Sequence, residues 1–241
     1  MEKMNGLDLF TGIGGITAAL SEWVHPVAYC EIERYCQAVL FSRMSEGKLP
    51  VAPIWDDIKT LNRECFEGKL DIIYGGFPCQ DLSYAGRRKG LEGERSGLFY
   101  EVIRLVKEFS PSFVFLENVP GIRTKGLGEV LKEFAEAGYD CRYGFLSAED
   151  MGAHHKRERW FLLAHSRRSG FQRLHEKVGK EYLQSASNDP WVSGDKQKWL
   201  PEPDLVRVAN GIPFRMDRTK ALGNSVVPSQ VREAFKRLIG F

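Results

Sequence analysis

Gly75-Gly76-Phe77-Pro78-Cys79 is the first stretch whose residue types and spacing could do chemistry. The apolar run 70–74 leads into it, and such a run bounded by Gly and Pro reads as a buried strand ending in a sharp turn. The glycines let the backbone come close to a ligand, and Pro78 stiffens the approach to the thiol. A cysteine at the carboxyl end of a central strand lies where open α/β sheets place their ligands. Alone, it is more often a small buried hydrophobe than a nucleophile. Its company changes that. A second apolar strand, 112–116, ends in Glu117-Asn118-Val119, so a thiol and an acid/base group finish adjacent strands at one sheet edge.

Other residues fall at places where α/β folds hold nucleotides. The strand 7–10 breaks into Thr11-Gly12-Ile13-Gly14-Gly15 and a helix to residue 20, the opening of a nucleotide-binding βαβ unit. The strand 27–30 ends at Glu31, placed to accept from ribose hydroxyls. Asp57 lies in the loop where a third strand ends; it reads as turn chemistry or, in this position, as an acceptor for an adenine amino group. His154 and His155 lack a Cys, Asp or Glu at ligand spacing, so no metal is expected. Read as the approach to a strand over 160–164, alternation puts Arg157 and Arg159 on one face, suited to an anionic partner.

Helices are expected over 34–43, 97–109 and 127–137, strands over 112–116 and 139–146, and a closing helix through Phe235 and Leu238. The polar, basic stretch 85–97 is long for a connection of this kind and reads as a functional loop. Composition shifts over 166–203 towards Ser, Gln, Lys and Arg, with Trp191 and Trp199 arguing for a small packed unit. The division is a catalytic, cofactor-binding domain over 1–165, a small recognition lobe over 166–218, and a returning segment over 219–241.

At 241 residues and 43% hydrophobic content the chain can bury a sizeable core, and a net charge of +2 leaves any nucleic-acid contact to local basic clusters. Five cysteines without a CxxC pair point to a reducing compartment rather than a disulfide framework. No run approaches membrane-spanning length. A soluble, cytoplasmic monomer is expected.

Taken together, the motifs resemble the DNA cytosine-5 methyltransferases. Asp8-Leu9-Phe10 with Gly12, Gly14 and Gly15 resembles the family's first motif, Pro78-Cys79-Gln80 the catalytic motif, and Glu117-Asn118-Val119 the acid motif. Arg157-Glu158-Arg159 resembles the arginine motif and Gly223-Asn224-Ser225-Val226-Val227-Pro228 the last one, all in family order. Two departures stand out: His155 occupies a position where the family usually has glutamine, and the ninth motif is not recognisable.

The resemblance implies a Rossmann-like α/β fold that uses S-adenosyl-L-methionine, with a mostly parallel sheet, one antiparallel strand and helices on both faces. It also implies that the last helix packs beside the first motif. Cys79, Glu117 and Arg159 would be catalytic. Phe10, Gly12, Gly14, Glu31, Ile32, Asp57, Ile58, Pro78, Asn224 and Val226 would hold the cofactor. Gln80, Ser83, Arg87, Arg88, Asn118, Arg157, Arg207 and Arg215 would face double-stranded DNA, with the target cytosine flipped from the stack. A restriction endonuclease acting on the same site would be a natural partner. An RNA (tRNA) cytosine methyltransferase with the same site, an inactive DNA-binding subunit and a nicotinamide-dependent oxidoreductase remain as rival readings.

Overall fold

The computed structural model describes residues 2–78, 97–168, 217, 220–221 and 225–240. Seven strands, β1 (Met4–Leu9), β2 (Val24–Cys30), β3 (Ile54–Trp55), β4 (Ile72–Gly76), β5 (Phe113–Asn118), β6 (Tyr139–Leu146) and β7 (Arg159–Ser166), form one sheet in the order β3-β2-β1-β4-β5-β7-β6. All pairings are parallel except those of β7, which runs antiparallel to both β5 and β6. Helices α1 (Gly15–Leu20), α2 (Arg34–Ser45), α3 (Gly97–Phe109), α4 (Ile122–Lys125) and α5 (Leu127–Glu136) connect the strands, and α6 (Pro228–Ile239) returns from the far end of the sequence. This is the expected Rossmann-like arrangement, a mostly parallel sheet with one antiparallel strand and helices on both faces. The recognition lobe expected over 166–218 falls almost wholly outside the described residues.

The strands are apolar on both faces because both faces are covered. Leu7, Leu9, Ile73, Val114, Leu116, Leu162 and Ala164 point to one side, where α3 and α5 lay down Phe99, Val102, Ile103, Val106, Val130 and Phe134. The spacing of the α3 residues, three or four apart, is what makes one stripe of that helix bury. Ile72, Tyr74, Phe113, Phe115, Phe161 and Leu163 point to the other side, against Ile16 and Leu20 of α1 and Val231, Phe235 and Leu238 of α6. Phe115 meets Phe235 edge-on at 5.1 Å and stacks with Phe161 at 6.0 Å. The last helix therefore packs beside α1, as the family resemblance implies.

Strand order reverses at β1, which has β2 on one side and β4 on the other. The crevice outside the carboxyl ends of β1 and β4 is where such sheets bind ligands. The turns after these two strands are the first motif and the Gly75-Gly76-Phe77-Pro78 stretch. One expectation is corrected at the far edge. His154 and His155 sit in a bend, with β7 starting only at Arg159, so strand alternation does not govern them or Arg157. No helix among the described residues is long and apolar enough to cross a membrane.

The glycines of β4 are there for a different reason from the one their sequence suggests. A Cβ on Gly75 would lie 2.0 Å from the Leu9 carbonyl oxygen of neighbouring β1, a backbone atom that cannot swing away. Gly75→Ala is therefore expected to lower unfolding free energy in urea by about 3 kcal/mol or more. Gly128→Ala on α5, where a Cβ meets nothing within 4 Å, should instead gain about 0.5–1 kcal/mol. Equal effects at the two positions would refute the close approach of β1 to β4.

Candidate active site

Side chains two residues apart on a strand share a face. On the α6 side of the sheet, Ile72 and Tyr74 are followed by Gly76, Phe113 and Phe115 by Glu117, and Phe161 and Leu163 are preceded by Arg159. Register then brings the three ends together, because Gly76 pairs with Glu117 and Glu117 with Phe161. Glu117 is 8% exposed, and its Oε1 accepts from Arg159 Nε at 3.0 Å. Its Oε2 lies 2.8 Å from where a Cβ of Gly76 would be, so Gly76 leaves room for the carboxylate. Burial pushes the Glu117 carboxyl up to about 7, against the opposing pull of Arg159 and then Arg157. A carboxyl with that value holds and releases a proton near neutral pH.

Asn118 departs from its expected DNA-facing role. It is 2% exposed, its Nδ2 donates to the Phe77 carbonyl at 2.9 Å, and its Oδ1 accepts from Val119 N–H at 2.7 Å. Both ends of the amide are committed, so Asn118 braces the turn after β5 to the turn after β4. Phe77, packed on Phe99 with ring centroids 5.3 Å apart, anchors that second turn. Arg157 is also redirected. Its guanidinium donates to the Ser225 carbonyl, and its backbone is in the left-handed region at φ 28°. Arg159 adds a bond from Nη1 to the Glu158 carbonyl at 2.8 Å.

Around the crevice, Phe10, Gly12 and Gly14 all have positive φ, and Gly14 opens α1. Space beyond Gly12 is open, with no atom within 4 Å of a Cβ built there. Gly12 N–H donates to Glu31 Oε2 at 2.6 Å and Glu33 N–H to Oε1 at 2.8 Å, while burial raises the Glu31 carboxyl above its ordinary value. Each oxygen keeps acceptor capacity, which suits the hydroxyl donors of a ribose. Ile32 beside it is 68% exposed, an apolar surface at the same mouth.

Asp57 is doing the turn chemistry that loops ask of it, accepting from Lys59 N–H at 2.9 Å. The Ile58 side chain belongs to the core, and its carbonyl accepts from Arg104 at 2.9 Å. Val226 packs against α1: its Cγ2 is 2.7 Å from a Cβ position on Gly15. Pro78 is exposed at the end of its turn. An open glycine cradle beside an acidic acceptor fits a nucleoside-bearing cofactor. Cys79, Gln80, Ser83, Arg87, Arg88, Arg207, Arg215 and Asn224 lie outside the described residues.

Beneath the cradle is a network that sequence reasoning missed. Asp8 is fully buried, accepts from Thr17 Oγ1 at 2.6 Å, and Thr17 Oγ1 lies 2.8 Å from the Tyr74 hydroxyl. Burial pushes the Asp8 carboxyl up to about 8. Also unforeseen is Gln230 of α6, 0% exposed, which donates to the backbone on either side of the β6–β7 connection. The available signal was positional: Gln230, Ala234 and Leu238 form one i, i+4, i+8 row on the buried stripe of that helix, and a glutamine in such a row needs partners.

A family model described as C-5 cytosine-specific DNA methylase matches residues 4–200. Over 233 residues the chain is 35% identical to the Type II methyltransferase M.CviJI of Paramecium bursaria Chlorella virus IL3A, which is 96% of this chain and 58% of that protein. Over 162 residues it is 34% identical to the Type II methyltransferase M.HhaI of Haemophilus parahaemolyticus, covering 65% and 47%. The chain thus spans about half the length of the curated relatives it matches. Among solved structures, the Dnmt2 methyltransferase of S. pombe superposes with a TM-score of 0.56 at 25% identity over 70% of this chain and 52% of that one. A Spodoptera frugiperda DNMT2 variant reaches 0.67 over 98% and 99%, at 16% identity a likeness of fold alone.

The raised Glu117 carboxyl has a consequence for stability that needs no assay of activity. The unfolded chain ionises this group near 4.5, the native chain near 7. The advantage of the protonated native form is therefore complete below about 4.5 and is lost as pH rises to about 7, at up to about 1.4 kcal/mol per pH unit. Unfolding free energies of the parent and of Glu117→Gln, measured from pH 5 to 8, should diverge across this window, with the parent losing more. Parallel curves would show that Glu117 is ionised throughout.

Proposed function

The chain belongs to the C-5 cytosine-specific DNA methylase family, and from that premise we propose that it transfers a methyl group from S-adenosyl-L-methionine to C5 of a cytosine in double-stranded DNA. The observation that carries the proposal is the buried Glu117–Arg159 pair at the end of β5, beside the turn that leads to Cys79. When bound, the cofactor supplies an electrophilic sulfonium methyl. The cradle of Phe10, Gly12 and Gly14, with Glu31 and Ile32, is the proposed seat for its nucleoside, Asp57 and the Ile58 backbone for its adenine, and Pro78, Asn224 and Val226 for its flank.

Cytosine C5 is a poor nucleophile, and the protein's task is to change that. The Cys79 thiolate attacks C6, forming the Sγ–C6 bond, while the Glu117 carboxyl gives its proton to N3 as negative charge develops there. C5 becomes enamine-like and takes the methyl. Loss of the C5 proton to a base then expels the Cys79 thiolate, N3 returns its proton to the Glu117 carboxylate, and aromaticity is restored. Glu117 suits its part because burial holds a proton on it near neutral pH, and Arg159 fixes the carboxyl's orientation. Arg159 is thereby committed to Glu117, and its second part in the proposal is to present positive charge to the base.

These atoms are unreachable inside a stacked duplex, so the cytosine is flipped out. Gln80, Ser83, Arg87 and Arg88 are proposed to close over it, Arg207 and Arg215 to hold phosphates, and the segment 166–218 to read a short site. Asn118 is not proposed to face DNA, because its buried amide is bonded within the protein, and the Arg157 guanidinium, which donates to the Ser225 carbonyl, is proposed to act beside Glu117 instead. A restriction endonuclease with the same site is a proposed partner.

Duplex DNA carrying 5-fluorocytosine tests the covalent step, because fluorine at C5 blocks the final elimination. With S-adenosylmethionine, the parent should form an adduct that survives denaturation and Cys79→Ala none. Equal adduct in the variant would remove Cys79 from the mechanism. An adduct with the corresponding tRNA substrate and none with DNA would move the substrate to RNA.

A further inference from the structure

The last helix does more than cover the sheet. Gln230, in its first turn, sends both protons of its amide Nε2 into backbone: 2.7 Å to the Leu146 carbonyl at the end of β6, and 2.9 Å to the Arg157 carbonyl just before β7. Those two residues close the β6–β7 connection, and Arg159, paired in register with Leu146, is the first residue after it. The orientation of the amide is fixed, since the opposite flip would point Oε1 at two carbonyl oxygens. Oε1 itself has no partner among the described residues. An apolar side chain of similar size would avoid that cost, which leaves the two donated bonds as the reason for an amide here.

The second observation is the backbone of Arg157. A side-chain-bearing residue at φ 28° is strained and persists only where its surroundings over-determine it. Two contacts from one short stretch do so. Gln230 holds the Arg157 carbonyl, and the Ser225 carbonyl accepts from the Arg157 guanidinium. Val226, between them in sequence, packs onto Gly15 at the start of α1. The stretch 225–230 therefore reaches from the glycine cradle to the arginine turn.

We propose that Gln230 is a positioning residue: its buried amide clamps the β6–β7 connection so that Arg157 and Arg159 are held at Glu117. The proposal deepens the reading of Glu117 as the acid of the reaction and rests on it for its catalytic meaning. Among the described residues, the charged groups acting on Glu117 are Arg159 from β7 and Arg157 from the turn before it; β4 presents only Gly76. Releasing the clamp lets both cations relax away, and a buried carboxyl that loses neighbouring positive charge holds its proton more tightly.

The test is a carbon-13 titration of the Glu117 carboxyl in the full chain, parent against Gln230→Met, which keeps length and packing but donates nothing. Gln230→Asn, which keeps the amide but is one methylene short, is measured alongside and carries the test if Gln230→Met does not fold. The Glu117 midpoint should rise by about one pH unit, and the rate of methyl transfer at pH 7 should fall about tenfold or more. A merely structural role would lower thermal stability and leave the midpoint in place. An unmoved midpoint in the folded variants overturns the proposal. The titration does not depend on turnover, so a parent that methylates nothing would sink the functional reading and leave the clamp to be judged on the midpoint alone.

Discussion

Everything at the carboxyl edge of the sheet follows from placing one carboxylate and one guanidinium, Glu117 and Arg159, together out of water. Burying two such ions costs several kcal/mol each, and their attraction across 3.0 Å recovers about 5 kcal/mol at an effective dielectric constant of about 20. The terms nearly cancel, and burial wins by a little. That is why the carboxyl comes to rest near 7 rather than at its ordinary value. Such a pair contributes little to stability, and its worth lies in a proton that is neither firmly held nor freely given.

The surrounding architecture can be understood as what that placement requires. A parallel β7 would begin at the opposite edge and could not deliver Arg159 to Glu117; running antiparallel, it starts where β5 ends. Gly76 clears space for the carboxylate, Asn118 ties its strand end to the neighbouring turn, and α6 secures the backbone before Arg159. Beside it, across β4, the same face of the sheet carries Asp8, Thr17 and Tyr74 beneath the glycine cradle. Asp8 and Glu117 thus sit under the two halves of one crevice, and both, like Glu31 at its mouth, are raised by burial.

Much of this was legible in the sequence. Apolar runs bounded by glycine and proline gave the strands, three-and-four spacing gave α3 over its observed length, and the strand ends named Glu31 and Glu117. What remained hidden depends on contacts between segments distant in sequence. Gly75 and Gly76 read as room for a ligand, whereas one makes way for the Leu9 carbonyl and the other for Glu117. Asn118 was expected to face DNA, because nothing local says that the Phe77 carbonyl will sit beside it. Arg157 looked like part of a strand face until its backbone proved left-handed, and its partner Ser225 is 68 residues away.

The central claim is that Glu117 and Arg159 act as one unit rather than as two independent contributors. A double-mutant cycle on the single-turnover rate of methyl transfer, using Glu117→Gln, Arg159→Leu and the combined variant at saturating DNA and cofactor, tests it most directly. The account predicts that each single change loses about two decades and that the combination loses little more than the worse of them, a coupling of about 2–3 kcal/mol. Losses that simply multiply would contradict it.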